Sequence, residues 1–141
     1  MKLSILVPIL AAALTWADEL RFDTVYDNGN QSLATVSCSN GANGLLTRGF
    51  TTFNSLPTFP NIGGSSAIPG FNSPQCGSCW NVTFTNAAGA STSLNITAID
   101  HAASGFVVSQ EAMDKLTNNN AVAFGVVNVT SAQLAASACG L

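Results

Sequence analysis

Charge is what this chain has least of. It holds four Lys and Arg among 141 residues, against seven Asp and Glu, and a single His. With so few cations there is no basic patch to meet a phosphate backbone or an anionic membrane, so nucleic acid and charged lipid are excluded as partners. A lone histidine, His101, leaves no second nitrogen ligand, so no metal site is expected and no cofactor is implied. Repeats, linkers and low-complexity stretches are also missing, so nothing divides the chain into several domains. Past the first residues, no apolar run approaches the roughly 20 residues that a bilayer span needs.

What is present begins with an export signal. Lys2 is followed by an apolar run, Leu3 to Leu14, broken only by Ser4 and Pro8. Thr15-Trp16-Ala17 then puts small residues at the −3 and −1 positions, ahead of Asp18-Glu19. That pattern predicts a cleavable secretory signal over residues 1–17, leaving 18–141 as one extracellular domain. The domain keeps three basic and seven acidic side chains, a net charge of −4. Asn, Ser, Thr and Gly make its surface polar without charge, which suits neutral partners such as carbohydrate, and also self-association.

Four cysteines in an exported chain predict two disulfides, with three pairings open. Cys76 and Cys79 form a CxxC within Pro69 to Phe84, PGFNSPQCGSCWNVTF, while Cys38 and Cys139 lie far to either side. A zinc site would want a second CxxC, and none exists. A redox pair would want a helix after the first cysteine, but Trp80 to Phe84 alternates like a strand. Gln75 to Trp80 matches the local signature around a papain-type nucleophile, yet its base would lie about 130–150 residues downstream. The chain ends at Leu141. The CxxC therefore reads as a structural double anchor.

Periodicity predicts a β-rich domain of about six short strands with one or two small helices, which a small barrel would close. Expected strands are Arg21 to Tyr26, Leu33 to Cys38, a hairpin of Trp80 to Phe84 with Ser93 to Ile99 whose register shifts near Ile99, Phe106 to Val108, and Ala121 to Val129. Ser109 should cap a helix running to Leu116 that buries Ala112, Met113 and Leu116. Thr130 and Gln133 have capping-box spacing for a further turn. Leu45 to Arg48 stays open between helix and strand. Gly49 to Ser73 is expected to be irregular, although it holds Phe50, Phe59 and Phe71. These rings either cover a barrel end or are presented to a ligand. Four sequons, at Asn30, Asn81, Asn95 and Asn128, are N-glycosylation candidates.

Several of these motifs together resemble the cerato-platanin family of small secreted fungal proteins. They are Phe22-Asp23, Cys38-Ser39-Asn40-Gly41 with Gly44-Leu45, Phe59 to Gly64, Ser73-Pro74 with Cys76 to Trp80, Ala98-Ile99-Asp100, Gly105-Phe106 and Cys139. The resemblance implies a six-stranded double-psi β-barrel with the pairing Cys38–Cys76 and Cys79–Cys139. It also implies an elicitor of host defence, met by a host immune receptor, that binds chitin or N-acetylglucosamine oligomers without hydrolysis and self-assembles at surfaces. In the family a shallow groove uses positions matching Asp23, Asn40 and Asp100. Asp100 is similar to the Asp that related barrels use in cellulose loosening or hydrolysis. Where the family often has Trp-Asp before Ser-Pro, this chain has Phe71-Asn72, which changes the ring and the charge of a loop expected to touch ligand.

Hydrolysis of glycosides normally needs two carboxylates across the bond. Asp18 and Glu19 sit at the exported start, Glu111 and Asp114 on a helix face, and Asp27 in a turn. Asp23 and Asp100 are the only pair left, and as sugar-hydroxyl acceptors they need geometry alone. The expectation is thus a binding protein and no enzyme, with wall loosening or weak glucan hydrolysis, and a purely structural surface protein, as the alternatives. Arg48 is expected to contact sugar or to hold a loop through a carboxylate, and Trp80 to belong to the core.

Overall fold

The computed structural model describes residues 14–141. The leader predicted over 1–17 lies mostly outside them, but its last residues are visible and continue into the first strand. Six strands close a barrel in the order β1-β5-β2-β4-β3-β6: β1 Trp16–Phe22, β2 Ile62–Ser65, β3 Cys79–Thr85, β4 Ser91–His101, β5 Phe106–Val108 and β6 Val127–Leu134. Two of the pairings are parallel, β1 with β5 and β2 with β4; the rest are antiparallel. Among the described residues two α-helices sit outside the barrel, α1 Gln110–Thr117 and α2 Ala121–Phe124. Among the described residues, no helix is long and apolar enough to cross a membrane.

The hairpin β3–β4 follows its alternation. Val82 and Ile96 are buried, and Asn81 faces Asn95 across the pair. The register of β2 against β4 skips a residue at Ile99, where Gly63 pairs Ala98 and Gly64 pairs Asp100. The bulge turns Ile99 into the core and re-aims Asp100. The helix α1 starts as expected: Ser109 Oγ accepts the Ala112 N–H at 3.0 Å. A second cap was not legible in the sequence. The Asp27 carboxylate accepts the N–H groups of Gln110 (2.8 Å) and Glu111 (3.0 Å), so Asp27 holds the helix start and not merely its own turn.

Several expected elements are corrected. The first strand is shifted towards the N-terminus and stops at Phe22. Asp23 Oδ1 then accepts the Val25 N–H at 2.9 Å and starts a 3-10 turn, Thr24–Asp27. Leu33 to Cys38 is not a strand, because Ser32 Oγ accepts from Ala34 and bends the chain into a 3-10 turn, Leu33–Thr35. Leu45 to Arg48 forms hydrogen-bonded turns. The irregular segment contains β2, which alternation could not reveal: all four of its residues are buried, and a Cβ on Gly63 would collide with the Val107 carbonyl. Ala121 to Val129 is not one strand. Its first residues form α2, which buries Ala121 and ends at Gly125, whose φ of +68° no bulky residue adopts easily. Thr130 caps nothing, since β6 runs through it to Leu134.

The disulfides are Cys38–Cys76 and Cys79–Cys139, with Cα–Cα distances of 5.4 and 5.6 Å. They flank two buried clusters. The inner one fills the barrel beneath α1, with Leu20, Val82, Phe106, Met113 and Val129 among its members. The outer one lies under the irregular segment, with Tyr26, Leu33, Phe53, Ile68, Ile99 and the Cys38–Cys76 bridge. Trp80, expected in the core, is only half-buried and packs against both clusters.

Candidate functional site

Asp100 sits near the end of β4, turned outward by the bulge and half-buried against the irregular segment. Three donors converge on its carboxylate. Oδ1 accepts the backbone N–H of Ser37 at 3.0 Å and of His101 at 2.9 Å, and Oδ2 accepts the Tyr26 hydroxyl at 3.0 Å. Tyr26 is buried and stacks on Phe53, with ring centroids 6.0 Å apart. Burial, then the charge and hydrogen bond of Asp100, then the charge of Asp23, push the Tyr26 phenol well above its ordinary range. The charges of both carboxylates therefore act on one neutral phenol. Asp23 is exposed and Asp100 is held.

Asn40 lies on an exposed loop that is tied next to Asp100. The Cys38 N–H donates to the Ile99 carbonyl at 3.1 Å, and the Cys38–Cys76 bridge fixes the loop's base. Phe71 is 63% exposed and is the one loop ring of the three left as a platform; Phe50 and Phe59 pack against the outer cluster. Asn72, at φ 58°, has a structural task in the loops. Its Oδ1 accepts the Asn43 N–H at 2.9 Å and its carbonyl accepts from Asn43 Nδ2 at 3.0 Å, so it latches the Phe71 loop to the Asn40 loop. Arg48 also holds loops, through the carbonyls of Cys76 (3.0 Å) and Asn43 (3.3 Å) and not through a carboxylate. His101 Nδ1 lies 2.7 Å from the Ile68 carbonyl, which only accepts, so that nitrogen carries the proton.

Sequence reasoning missed Tyr26. It is the chain's only tyrosine, and a phenol in an apolar setting needs a partner. That requirement was the available signal, but the partner lies 74 positions away. The sequon residues stand elsewhere: Asn30 in an exposed turn, Asn128 exposed on β6, and Asn81 with Asn95 joined by a 2.9 Å side-chain hydrogen bond on the outer wall of β3 and β4. Among the described residues no group of His, Cys, Asp and Glu is arranged to hold a metal ion.

Three comparisons bear on this architecture. A family model described as cerato-platanin matches residues 19–141. The chain is 48% identical over 130 residues to the "Allergen Asp f 15 homolog" of Arthroderma benhamiae, covering 92% of this chain and 62% of that relative's length. It superposes on the crystal structure of cerato-platanin 2 from M. perniciosa with a TM-score of 0.86 at 58% identity, covering 89% of this chain and 100% of that one. The solution structure described as that of the fungal elicitor cerato-platanin matches with a TM-score of 0.71 at 36% identity, over 86% and 95% of the two chains.

Proposed function

The chain belongs to the cerato-platanin family, and on that footing we propose that it is an extracellular elicitor-type protein that binds neutral sugar oligomers, chitin fragments foremost, without cleaving them. The observation that carries this reading is the fixed carboxylate of Asp100. Two backbone N–H groups and a buried phenol all donate to it, so it is a rigid acceptor for a sugar hydroxyl. A general acid would have to bring a proton of its own to the leaving oxygen. Asp23 offers a second acceptor beside Tyr26, and Phe71 an exposed ring for the apolar face of a pyranose. A relative named as an allergen and a structural neighbour described as an elicitor support recognition by a host immune receptor, which needs only an exposed epitope.

The test is a titration of residues 18–141 with chitotetraose and cellotetraose, followed by amide NMR shifts. Saturable shifts at Asp23, Asn40 and Asp100 are expected, with binding weakened about tenfold, or 1.4 kcal/mol, in Asp100→Asn. No saturable shift at these residues would sink the reading. Reducing ends released from glucan, and lost in Asp100→Asn, would replace it with hydrolysis.

One observation favours self-assembly as a second activity. Val122, Phe124 and Val126 are 69, 49 and 43% exposed on and after α2, in a stretch, 116–141, without a charged side chain. Phe124→Ser should then slow film formation at an air–water surface and leave sugar titrations unchanged.

A further inference from the structure

Two pockets adjoin, and Asp100 lines neither of them. One, of about 280 Å³, is bordered by Asp18, Ser65, Ser66, Phe106 and Ser131, and the other, of about 360 Å³, by Ala132 and Gln133. Trp16 and Trp80 border both. Trp16 is 62% exposed and is held there by pairing with Ser131 on β6. Trp80 is locked: its Nε1 donates to Ser78 Oγ at 2.8 Å, and its ring meets Phe106 edge-on at 5.6 Å. Beside it, buried Ser131 donates to Asp18 Oδ2 at 2.6 Å, and buried Ser65 accepts from the Ala67 N–H at 3.1 Å. The walls carry one carboxylate and no cation.

We propose that in the chain that begins at Asp18, which lacks Trp16, the two pockets form one groove along Trp80 and a site for a neutral pyranose. The barrel stays closed in that chain. Asp18, Glu19 and Leu20 still pair with Val129, Asn128 and Val127, and Leu20 to Phe22 still pair with β5. The chemistry names the ligand class. A rigid indole face suits the C–H face of a sugar ring, while the exposed Ser66 hydroxyl and the half-buried Asp18 carboxylate suit its hydroxyl rim. The new α-ammonium of Asp18 and its own carboxylate offset each other, so the groove has no net charge with which to select an anion or a cation. A purely apolar ligand would cover the exposed Ser66 hydroxyl and offer the Asp18 carboxylate no donor beyond the one it has from Ser131. The proposal is independent of the Asp100 groove, so either site can fail alone.

The chain has two tryptophans, so a chain starting at Asp18 keeps Trp80 as its only one and its fluorescence reports this site directly. Chitotetraose and cellotetraose are titrated into that chain and into one that retains Leu14 to Ala17, with the Trp80 indole resonance as a second readout. Saturable quenching or shift is expected in the first chain, and at least about tenfold weaker binding at this site in the second. Ser66→Phe, at an exposed loop position, should block the response with its circular dichroism unchanged, and Asp100→Asn should leave it intact. A silent Trp80 in the trimmed chain, equal binding in both chains, or loss of the Trp80 response in Asp100→Asn would each overturn the proposal.

Discussion

The inner and outer clusters bury residues of the same kinds but are assembled by different means. The inner one is made by periodic elements: alternate positions of β3, β4 and β6 and one face of α1 converge on Val82, Ile96 and Met113. The outer one is drawn mostly from turns and loops between residues 26 and 76, stitched by local backbone hydrogen bonds and one disulfide. The candidate site lies on the outer one. The barrel supplies Asp100, and the stitched segment supplies Tyr26, Ser37 and Asn40. A rigid frame thus carries the acceptor, while the surroundings that tune it come from the part with less regular structure.

Removing one large side chain from each cluster is the strongest way to break this comparison. Phe53 and Met113 are both fully buried. Phe53→Ala is expected to cost about 3–5 kcal/mol and Met113→Ala about 2–5 kcal/mol by denaturant unfolding. Hydrogen exchange separates them: Phe53→Ala should lower protection mainly between Tyr26 and Ile68, and Met113→Ala throughout the barrel. Identical exchange patterns would mean that the two clusters unfold as one unit.

Opening Cys38–Cys76 by the double substitution to Ala should cost about 2–4 kcal/mol, by freeing the unfolded chain. The lost protection should centre on the loops around Cys38 and Asn72, with the β3–β4 ladder unaffected. Opening Cys79–Cys139 in the same way should instead loosen the end of β6 and the C-terminal 3-10 turn, Ala136–Cys139.

Tyr26 ties the outer cluster to Asp100 on β4, and it sets a pH dependence. Its folded pKa lies above the unfolded value of 10.0. The neutral phenol therefore contributes fully below pH 10, and that contribution is lost as pH rises towards the folded value. Tyrosinate absorbance, which here reports Tyr26 alone, should appear later than in the denatured chain. Stability should decline above pH 10 with a component that is missing in Tyr26→Phe. At neutral pH that substitution should cost about 1.5–3 kcal/mol, as befits a hydrogen bond to a charged group.

The same division explains what the sequence could show. Trp80, Val82 and Phe84 alternate, and Ser109 precedes an amphipathic turn, so β3 and α1 are legible from local pattern. Leu33 to Cys38 alternates too, but the Ser32 side chain bonds its own backbone and overrides the pattern. β2 carries two glycines and no polar face, so it has no pattern to read. The six-stranded barrel and both cysteine pairings followed from the family resemblance, because periodicity leaves closure and pairing open. Asp23 and Asp100 were implied by the family resemblance and also remained in a short roll of carboxylates. Tyr26, Ser37 and the Asn72 latch were not legible, since each acts through a contact made only when distant segments meet.

The smallest expected effect compares two asparagines in the left-handed region, Asn118 at φ 54° and Asn72 at φ 58°. Asn118 ends α1 on the barrel side, and its backbone N–H caps the helix by donating to the Asp114 carbonyl. Glycine makes the same bond at no steric cost, so Asn118→Gly should leave stability unchanged or raise it by up to about 0.5 kcal/mol. Asn72→Gly gains the same backbone ease but removes the oxygen that accepts the Asn43 N–H, a loss of about 0.5–1.5 kcal/mol. Denaturant curves of the two variants subtract the shared conformational part and leave the latch. Equal stabilities would mean that the Asn72 side-chain bond to Asn43 contributes nothing, and that packing, backbone hydrogen bonds and the disulfide hold the outer cluster around Asp100.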